Sequence, residues 1–232
     1  MSEVLDRRDV ILSQAAKLFA RKGVSATTVR EIGDAAGILS GSLYHHFESK
    51  EAIVDEILAS YLDNLLAWYR QVTDEHDDPK ECLAGLIRVS FQSIEEYPEA
   101  CEIYQNDFNY LTSLPRFGYL QKKAAEFQKA WVDVIMDGVE QGQFRRDVDP
   151  RVFYRFARDA LWLTVRWYKP GGRHRIEELA EECIAVLMDG YATGSNRSRV
   201  ANNGERRGRP APAAAKAAKG TAGNKSRSRT AK

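Results

Sequence analysis

The stretch TVREIGDAAGILSGSLYHHF, residues 28–47, decides the fold of this chain. Thr28 followed three residues later by Glu31 is a capping box, which predicts that a helix starts here. Gly37 stands where a helix commonly ends, since glycine adopts the left-handed conformation at no steric cost. The polar residues that follow predict a second short helix. Two short helices joined by a tight turn make a helix-turn-helix, the unit that places a recognition helix in the major groove of double-stranded DNA.

The totals of the chain are those of a globular protein without a membrane anchor. It has 232 residues, of which 44% are hydrophobic and 29% are charged, and no run approaches the roughly 20 apolar residues that span a bilayer. The N-terminus, MSEVLDRRD, is charged where a secretory signal needs an apolar core. Three widely spaced cysteines, Cys82, Cys101 and Cys183, fit neither a disulfide frame nor a zinc site. We therefore expect a cytoplasmic protein with no membrane partner and no metal.

Charge divides the chain into three parts. Residues 195–232 hold eleven Lys or Arg and one acidic residue, whereas residues 51–194 hold 16 basic and 26 acidic residues. An acidic body repels phosphates, so contacts with DNA should come from the two ends of the chain. The C-terminal segment lacks the apolar surface that would offset the entropy of ordering, which predicts a disordered basic tail at 195–232. This tail is either simply solvated or an arm that tethers the protein to DNA.

The apolar spacing is helical along the whole body and nowhere alternates as in a strand. It predicts an all-α fold of about nine helices, with residues 1–50 as the helix-turn-helix domain and residues 51–194 as a second helical domain. Glycine and proline mark the helix ends, as at Gly23, Pro98 and Gly142. Outside the helix-turn-helix, the predicted helices span residues 6–22, 49–71, 80–97, 99–111, 115–141, 150–168 and 176–191.

Residues 10–57 resemble the N-terminal domain of the tetracycline-repressor (TetR) family. The resemblance rests on the pattern A-x-x-L-F, G, T-T-V-R-E-I, A-G-I and G-S-L-Y-x-H-F-x-S-K-E, which is present here between Ala15 and Glu51. One difference is Leu39, which stands where the family often has a Ser or Thr cap. The resemblance implies that the second domain, 51–194, binds an effector and dimerises.

The family pattern also assigns residues to a DNA interface. It places Arg30, Ser40, Gly41, Ser42 and His45 in the major groove, and Thr28, Tyr44, His46 and Lys50 on phosphates. Arg30 can donate in bidentate fashion to guanine. Each assignment has a plain alternative: Tyr44 packs inside the domain, His46 forms a hydrogen bond within it, and Arg30 and Lys50 are solvated charges. We also expect Ser40 or Ser42 to cap the recognition helix.

One recognition helix spans too few base pairs to be selective, which implies a homodimer that reads an inverted-repeat operator. The helix predicted at 150–168 is apolar on more than one side, with Phe153, Phe156 and Trp167 among its residues, and Leu187 and Met188 extend this surface. A helix that is apolar nearly all round is buried. It is therefore either the dimer interface or the centre of a monomeric core.

The same helix carries a stripe of polar and aromatic residues that recur every four positions, namely Tyr154, Arg158, Trp162 and Arg166. Two arginines on a buried helix need anionic partners, because an unpaired buried charge is costly. The partners are either the carboxylates of Asp63, Asp107 or Asp159, or a ligand with phosphates and an adenine ring that stacks on Trp162. Four more aromatic residues either line an apolar cavity or belong to the core: Trp68, Tyr104, Phe108 and Trp131.

A closer resemblance is to one subgroup of the TetR family, the actinobacterial repressors of the later cholesterol-catabolism genes. It rests on GILSGSLYHHFESKE at 37–51, WVDV at 131–134, YRFARD at 154–159 and RWYKPGG at 166–172. The resemblance implies that a small-molecule inducer, the CoA thioester of a two-ring steroid remnant, releases the DNA. No other cofactor is expected.

Three other functions have to be distinguished from this one. An enzyme is disfavoured because the sequence has no GxSxG elbow, phosphate-binding loop, dinucleotide-binding glycine pattern or metal cluster, so we expect no catalytic residue. The same repressor fold could respond to a different inducer, such as a fatty acyl-CoA or a drug. A DNA-compacting protein that acts through its tail is the third alternative.

Overall fold

The structure, a computed structural model, describes residues 6–189. Over these residues it consists of nine α-helices and two short 3₁₀ helices, with no strand, which confirms the all-α prediction. The α-helices are α1 Arg7–Lys22, α2 Val29–Ala36, α3 Ser40–Leu43, α4 Lys50–Glu75, α5 Pro79–Glu96, α6 Pro98–Thr112, α7 Tyr119–Glu140, α8 Pro150–Trp162 and α9 Ile176–Asp189. The predicted basic tail lies outside the described residues.

The local signals of residues 28–47 form as predicted. The hydroxyl of Thr28 accepts a hydrogen bond from the amide of Glu31 at 3.3 Å, and the Glu31 carboxylate accepts one from the amide of Thr28 at 2.9 Å. Gly37 has a φ of 67° and ends α2 in the left-handed conformation. A Cβ on Gly33 would lie 3.1 Å from the carbonyl oxygen of Ile38, so glycine there allows α2 to approach the start of α3 closely.

The first three helices contribute buried side chains to the hydrophobic core of the chain. Ile11, Ala15 and Phe19 of α1 are fully buried, as are Ile32 of α2 and Leu43 of α3. Side chains at positions 11, 15 and 19 lie on one face of a helix, since residues four apart are neighbours there. Helix α2 contacts both α1 and α3, and this packing fixes the direction in which the predicted recognition helix points.

The remaining helices form a second layer around α5, which contacts α4, α7, α8 and α9. Helix α4 starts at Lys50, at the predicted domain boundary, runs without interruption to Glu75 and contacts α1. Helix α1 also contacts α6. The helix-turn-helix is therefore connected to the second domain both through a continuous helix and through direct packing.

Two predicted helices are interrupted in the structure. The helix predicted at 115–141 begins as a 3₁₀ helix, Pro115–Phe117, and α7 starts only at Tyr119. The helix predicted at 150–168 ends at Trp162 and is followed by a 3₁₀ helix, Leu163–Arg166. The buried residues Leu161 and Thr164 lie on either side of this change of winding.

Among residues 6–189, no helix has both the length and the apolar character that crossing a bilayer requires.

Candidate DNA interface and ligand cavity

The predicted DNA-binding residues fall into an exposed and a half-buried group. The exposed group is Thr28, Arg30, Gly41, Tyr44 and His45, and the half-buried group is Ser40, Ser42, His46 and Lys50. Tyr44 is 57% exposed, so it is not a packing residue in this chain. The Arg30 side chain is 84% exposed and its nearest carboxylate, Asp34, is 3.9 Å away. Both side chains are free to reach a duplex.

The predicted serine cap of the recognition helix is wrong. Leu39 occupies the cap position in an extended conformation, with no side-chain hydrogen bond to the helix start. Ser40 is already the first helical residue, so its hydroxyl lies one position too late to cap. The backbone alone closes this turn: the amide of Ser42 donates to the carbonyl oxygen of Leu39 at 2.9 Å.

Lys50 has a role that the sequence did not reveal. Its ammonium donates to the carbonyl oxygens of Val24 and Thr27, at 2.7 and 2.9 Å. The side chain therefore holds the segment between α1 and α2 against the start of α4. Lys50 is therefore not a freely solvated charge. The predicted phosphate contact would have to use the third N–H of its ammonium.

Acidic groups near this surface are neutralised by cations from neighbouring elements. Lys22 forms an ion pair with Glu31, and together with the Thr28 hydrogen bonds it lowers the pKa of Glu31 to about 2. Arg116, next to α7, pairs with Glu48 just before α4 and lies 3.6 Å from Asp55. Pairing the carboxylates reduces their repulsion of the phosphate backbone.

A cavity of about 490 Å³ lies among α4, α6, α7 and α8. Its size is in the range of small-molecule sites in proteins, roughly 300–1,000 Å³. Six of the eight predicted ligand-binding residues line it, namely Tyr104, Phe108, Trp131, Tyr154, Arg158 and Trp162. The remaining wall is formed by Tyr61, Leu62, Leu65 and Tyr69 of α4, Gln105 and Asn109 of α6, and Gln121, Ala124, Ala125, Phe127 and Gln128 of α7.

The buried part of the wall is aromatic. Tyr69 meets Phe127 and Trp131 edge-on, with ring centroids 5.7 and 6.2 Å apart, and Trp131 lies 6.0 Å from the ring of Tyr154. Burial raises the pKa values of Tyr69, Tyr104 and Tyr154. These phenols are therefore neutral at physiological pH. The Tyr69 hydroxyl is already hydrogen-bonded to Ser90 at 2.6 Å, so Tyr104 and Tyr154 are the phenols that can donate a hydrogen bond to a carbonyl in this otherwise apolar space.

The exposed part of the wall is polar. Asn109, Gln121 and Arg158 all line the cavity and are exposed to solvent. The Arg158 guanidinium lies 5.9 Å from the centroid of the Tyr154 ring. The cavity therefore suits a ligand with an apolar ring system and a polar or anionic extension that reaches the surface.

The prediction that both arginines of the α8 stripe are buried is wrong. Arg158 is exposed and donates to Asp159 at 2.7 Å, so one of the internal partners considered above is present. Arg166 is exposed as well; it lies in the 3₁₀ helix, does not line the cavity, and donates to Asn106 of α6 at 3.1 Å. The four-residue spacing fails at Arg166 because the α-helix ends at Trp162.

Trp68 does not line the cavity either. Its ring contacts Tyr97, with centroids 6.1 Å apart, and this agrees with the alternative that it belongs to the core.

Of the residues of α7 that line the cavity, sequence reasoning found only Trp131. Gln121, Ala124, Ala125 and Gln128 occur at spacings of three, four and seven, so they form one polar and small-residue face on a helix whose other face is apolar. Small and polar side chains on one face of a helix are typical of a cavity wall, because they leave space that larger apolar side chains would fill. The half-buried position of Gln128 is consistent with this interpretation.

Helix α6 links the cavity to the helix-turn-helix. Tyr104 and Phe108 face the cavity, whereas Asp107 between them is buried and accepts hydrogen bonds from the amide of Val24 at 3.3–3.4 Å. Desolvation raises the pKa of Asp107, against the opposing effects of the Val24 amide and of the Lys50 charge. A displacement of α6 by a ligand would therefore pull directly on the segment between α1 and α2.

A third surface is apolar and uncovered in the single chain. On α8 and the residues that follow it, the exposed apolar side chains are Val152, Phe156, Leu163 and Trp167, at 42%, 69%, 46% and 56%. On α9, Val186 is 49% exposed. Of the two alternatives for this helix, the centre of a monomeric core is wrong, since only the opposite face of α8, with Ala157 and Leu161, lies in the core. The dimer interface stays a prediction.

Comparisons with known proteins agree with this geometry. Residues 11–57 match the family model of bacterial regulatory proteins of the tetR family, and residues 76–191 match the tetracyclin repressor-like C-terminal domain. The HTH-type transcriptional repressor KstR2 of Mycobacterium tuberculosis (strain ATCC 25618 / H37Rv) is 46% identical over 188 residues, which cover 81% of this chain and 94% of the relative. KstR2 of Rhodococcus jostii (strain RHA1) is 44% identical over 190 residues, or 82% of this chain and 93% of the relative.

Among solved structures, the ketosteroid transcriptional regulator KstR2 of Mycobacterium tuberculosis aligns with a TM-score of 0.78 at 46% identity, over 81% of this chain and 96% of that chain. The extent of these matches covers both the helix-turn-helix and the cavity-bearing domain. The chain therefore belongs to the TetR family, as a DNA-binding transcriptional repressor and not an enzyme.

Proposed function

We propose that this repressor binds an inverted-repeat operator as a homodimer and that a CoA thioester of a steroid-degradation intermediate releases it from the DNA. The cavity carries this proposal, because its buried wall is aromatic and its exposed wall is polar and cationic. Similarity to a ketosteroid transcriptional regulator favours a fused-ring ligand over a linear one. The ring remnant would occupy the buried part, and the phosphates of CoA would lie at the surface near Arg158.

The dimer is supported by the exposed apolar side chains of α8 and α9. Phe156 and Trp167 are large aromatic residues, a type enriched in protein interfaces. A second copy of the chain, related by two-fold symmetry, would cover this surface with the same residues. It would also supply the second recognition helix that an inverted repeat requires.

Release would follow from unequal binding of the inducer to two arrangements of the chain. A ligand that pushes Tyr104 and Phe108 outward would move α6, and Asp107 would carry this movement to Val24. The recognition helices of the dimer would then no longer match successive turns of the major groove. Linkage requires that the operator weakens inducer binding by the same factor by which the inducer weakens operator binding.

The test is a gel shift on the DNA upstream of the protein's own gene, with increasing amounts of the steroid-remnant CoA thioester. Arg158→Met should bind the DNA as the unaltered chain does, but release should require roughly 2- to 5-fold more thioester, because Arg158 is exposed and an exposed ion pair contributes about 0.5–1 kcal/mol. Arg155→Met is the matched control, because Arg155 is exposed on α8 but does not line the cavity.

Three further ligands separate the alternatives. The free ring acid without CoA, a fatty acyl-CoA and CoA alone should each release the DNA less effectively than the steroid thioester. Release by the fatty acyl-CoA at equal or lower concentration would replace the proposed inducer by a linear one. An unchanged response of Arg158→Met to all thioesters would contradict the assignment of the phosphates to Arg158.

A further inference from the structure

Leu39 is an apolar side chain that the fold leaves almost wholly in solvent. It is 81% exposed, more than Tyr44 at 57%, although it directly precedes the recognition helix and follows the half-buried Ile38. Single exposed leucines are common on protein surfaces. Leu39 differs from those leucines because it directly precedes the recognition helix.

The cap position of a helix ordinarily holds Ser, Thr, Asp or Asn, whose side-chain oxygen binds the free amides of the first turn. Leu39 offers no such oxygen, and α3 has no side-chain cap. In the isolated chain, leucine at this position thus leaves the amides of the helix start without a side-chain acceptor and exposes apolar surface to water. Neither effect is offset within the fold, which indicates that the side chain serves contact with a partner.

The partner at this surface is the DNA duplex, because Leu39 is continuous with the DNA interface described above. Its neighbours Ser40 and Ser42 carry hydroxyls, and Gly41 has open space where a Cβ would stand. These residues can meet base edges through hydrogen bonds or close backbone approach. The group in the major groove that an aliphatic side chain distinguishes is the C5-methyl of thymine.

We propose that Leu39 of each protomer contacts one thymine methyl in each half of the operator and so selects T·A over C·G at that position. This inference rests on the proposed operator binding, but it is independent of the inducer. Removal of a single buried methyl contact should weaken binding about fourfold per half-site and about 15-fold for both, from roughly 0.8 kcal/mol per buried carbon group.

The experiment is a uracil scan at constant salt. The probe is the shortest duplex from the upstream DNA that the protein protects, with thymines replaced by deoxyuridine one symmetric pair at a time, which removes only the methyl groups. The unaltered chain should lose about 15-fold at one symmetric pair. Leu39→Ala and Leu39→Ser should bind the thymine and uracil probes equally, whereas Leu39→Met, which keeps an apolar side chain of similar reach, should still discriminate.

Leu39→Ser also separates recognition from folding. Its hydroxyl is suited to cap α3, so this variant should unfold at the same or a higher temperature while it loses the discrimination. At the identified pair, 5-methylcytosine should bind the unaltered chain better than cytosine.

Two results would overturn the inference. One is a scan in which no thymine pair matters to the unaltered chain, and the other is an equal loss on uracil in the unaltered chain and in Leu39→Ala. Either result leaves operator binding intact. If the unaltered chain prefers no upstream fragment over random DNA, the proposed function fails and the Leu39 contact fails with it.

Discussion

The position of Lys50 makes a prediction that distinguishes a structural lysine from a phosphate-binding one. Lys50→Met keeps much of the aliphatic stem but removes the ammonium that binds the carbonyl oxygens of Val24 and Thr27. A hydrogen bond that involves a charged group contributes about 1.5–3 kcal/mol. Because Lys50 is half-buried and water can replace part of each bond, we expect a total loss of about 2–3 kcal/mol in the free energy of unfolding.

Thermal unfolding monitored by circular dichroism measures this loss. For a chain of this size, each kcal/mol lowers Tm by about 2–4 °C, so the Tm of Lys50→Met should fall by about 4–12 °C. Lys17→Met is the matched control, since Lys17 is an exposed lysine on α1. Its Tm should stay within about 2 °C of that of the unaltered chain, because surface substitutions usually change stability by less than 0.5 kcal/mol.

The salt dependence of DNA binding, measured where both proteins are folded, completes the comparison. A lysine that neutralises one phosphate contributes about 0.9 to the slope of log affinity against log salt concentration. If Lys50 is structural, the slope of Lys50→Met should equal that of the unaltered chain. An unchanged Tm together with a slope reduced by about 0.9 per protomer would refute the structural role.

Three other predictions concern the DNA interface, the apolar surface of α8 and the buried carboxyl group of Asp107. Arg30→Ala should cost about 1–3 kcal/mol at one operator position and relax base preference there, as measured by binding selection from random DNA; equal losses on specific and random DNA would contradict base readout. Phe156→Asp should give a monomer in sedimentation at micromolar concentration with weakened operator binding, whereas a persistent dimer would locate the interface elsewhere. Burial raises the pKa of Asp107 above its ordinary 3.8, so the folded chain keeps the carboxyl proton to a higher pH than the unfolded chain does. The contribution of Asp107 to stability therefore falls as the pH rises through the raised pKa. The Asp107→Asn variant should therefore lose less stability than the unaltered chain as the pH is raised from about 3.8. Denaturant unfolding at a series of pH values measures this, and identical pH profiles of the two proteins would count against the effect.

The features that sequence predicted well are those whose causes are local. The capping box of Thr28 and Glu31 involves residues three apart, and the left-handed Gly37 depends on one residue's own conformational freedom. Both formed as predicted. Aromatic spacing on α6 and α8 likewise placed Tyr104, Phe108 and Tyr154 on the cavity wall.

The features that sequence did not predict depend on partners far away in the chain. Lys50 finds its acceptors 23 and 26 residues earlier, and no local pattern marks those carbonyls. Helix α8 ends at Trp162 although no proline or glycine follows until Pro170, so no local sequence signal marks this end. The burial of Arg158 and Arg166 was overestimated because apolar periodicity identifies a face of a helix but not which element covers that face.

The two faces of α6 meet different parts of the protein. Tyr104 and Phe108 line the cavity in which we propose that the inducer binds, whereas Asp107, between them, binds the Val24 amide. If that proposal holds, substitutions at Tyr104 and Phe108 would change which inducer the protein binds and leave its DNA-binding residues unaltered. The chain would then be a suitable starting point for biosensors in which only the ligand specificity is changed.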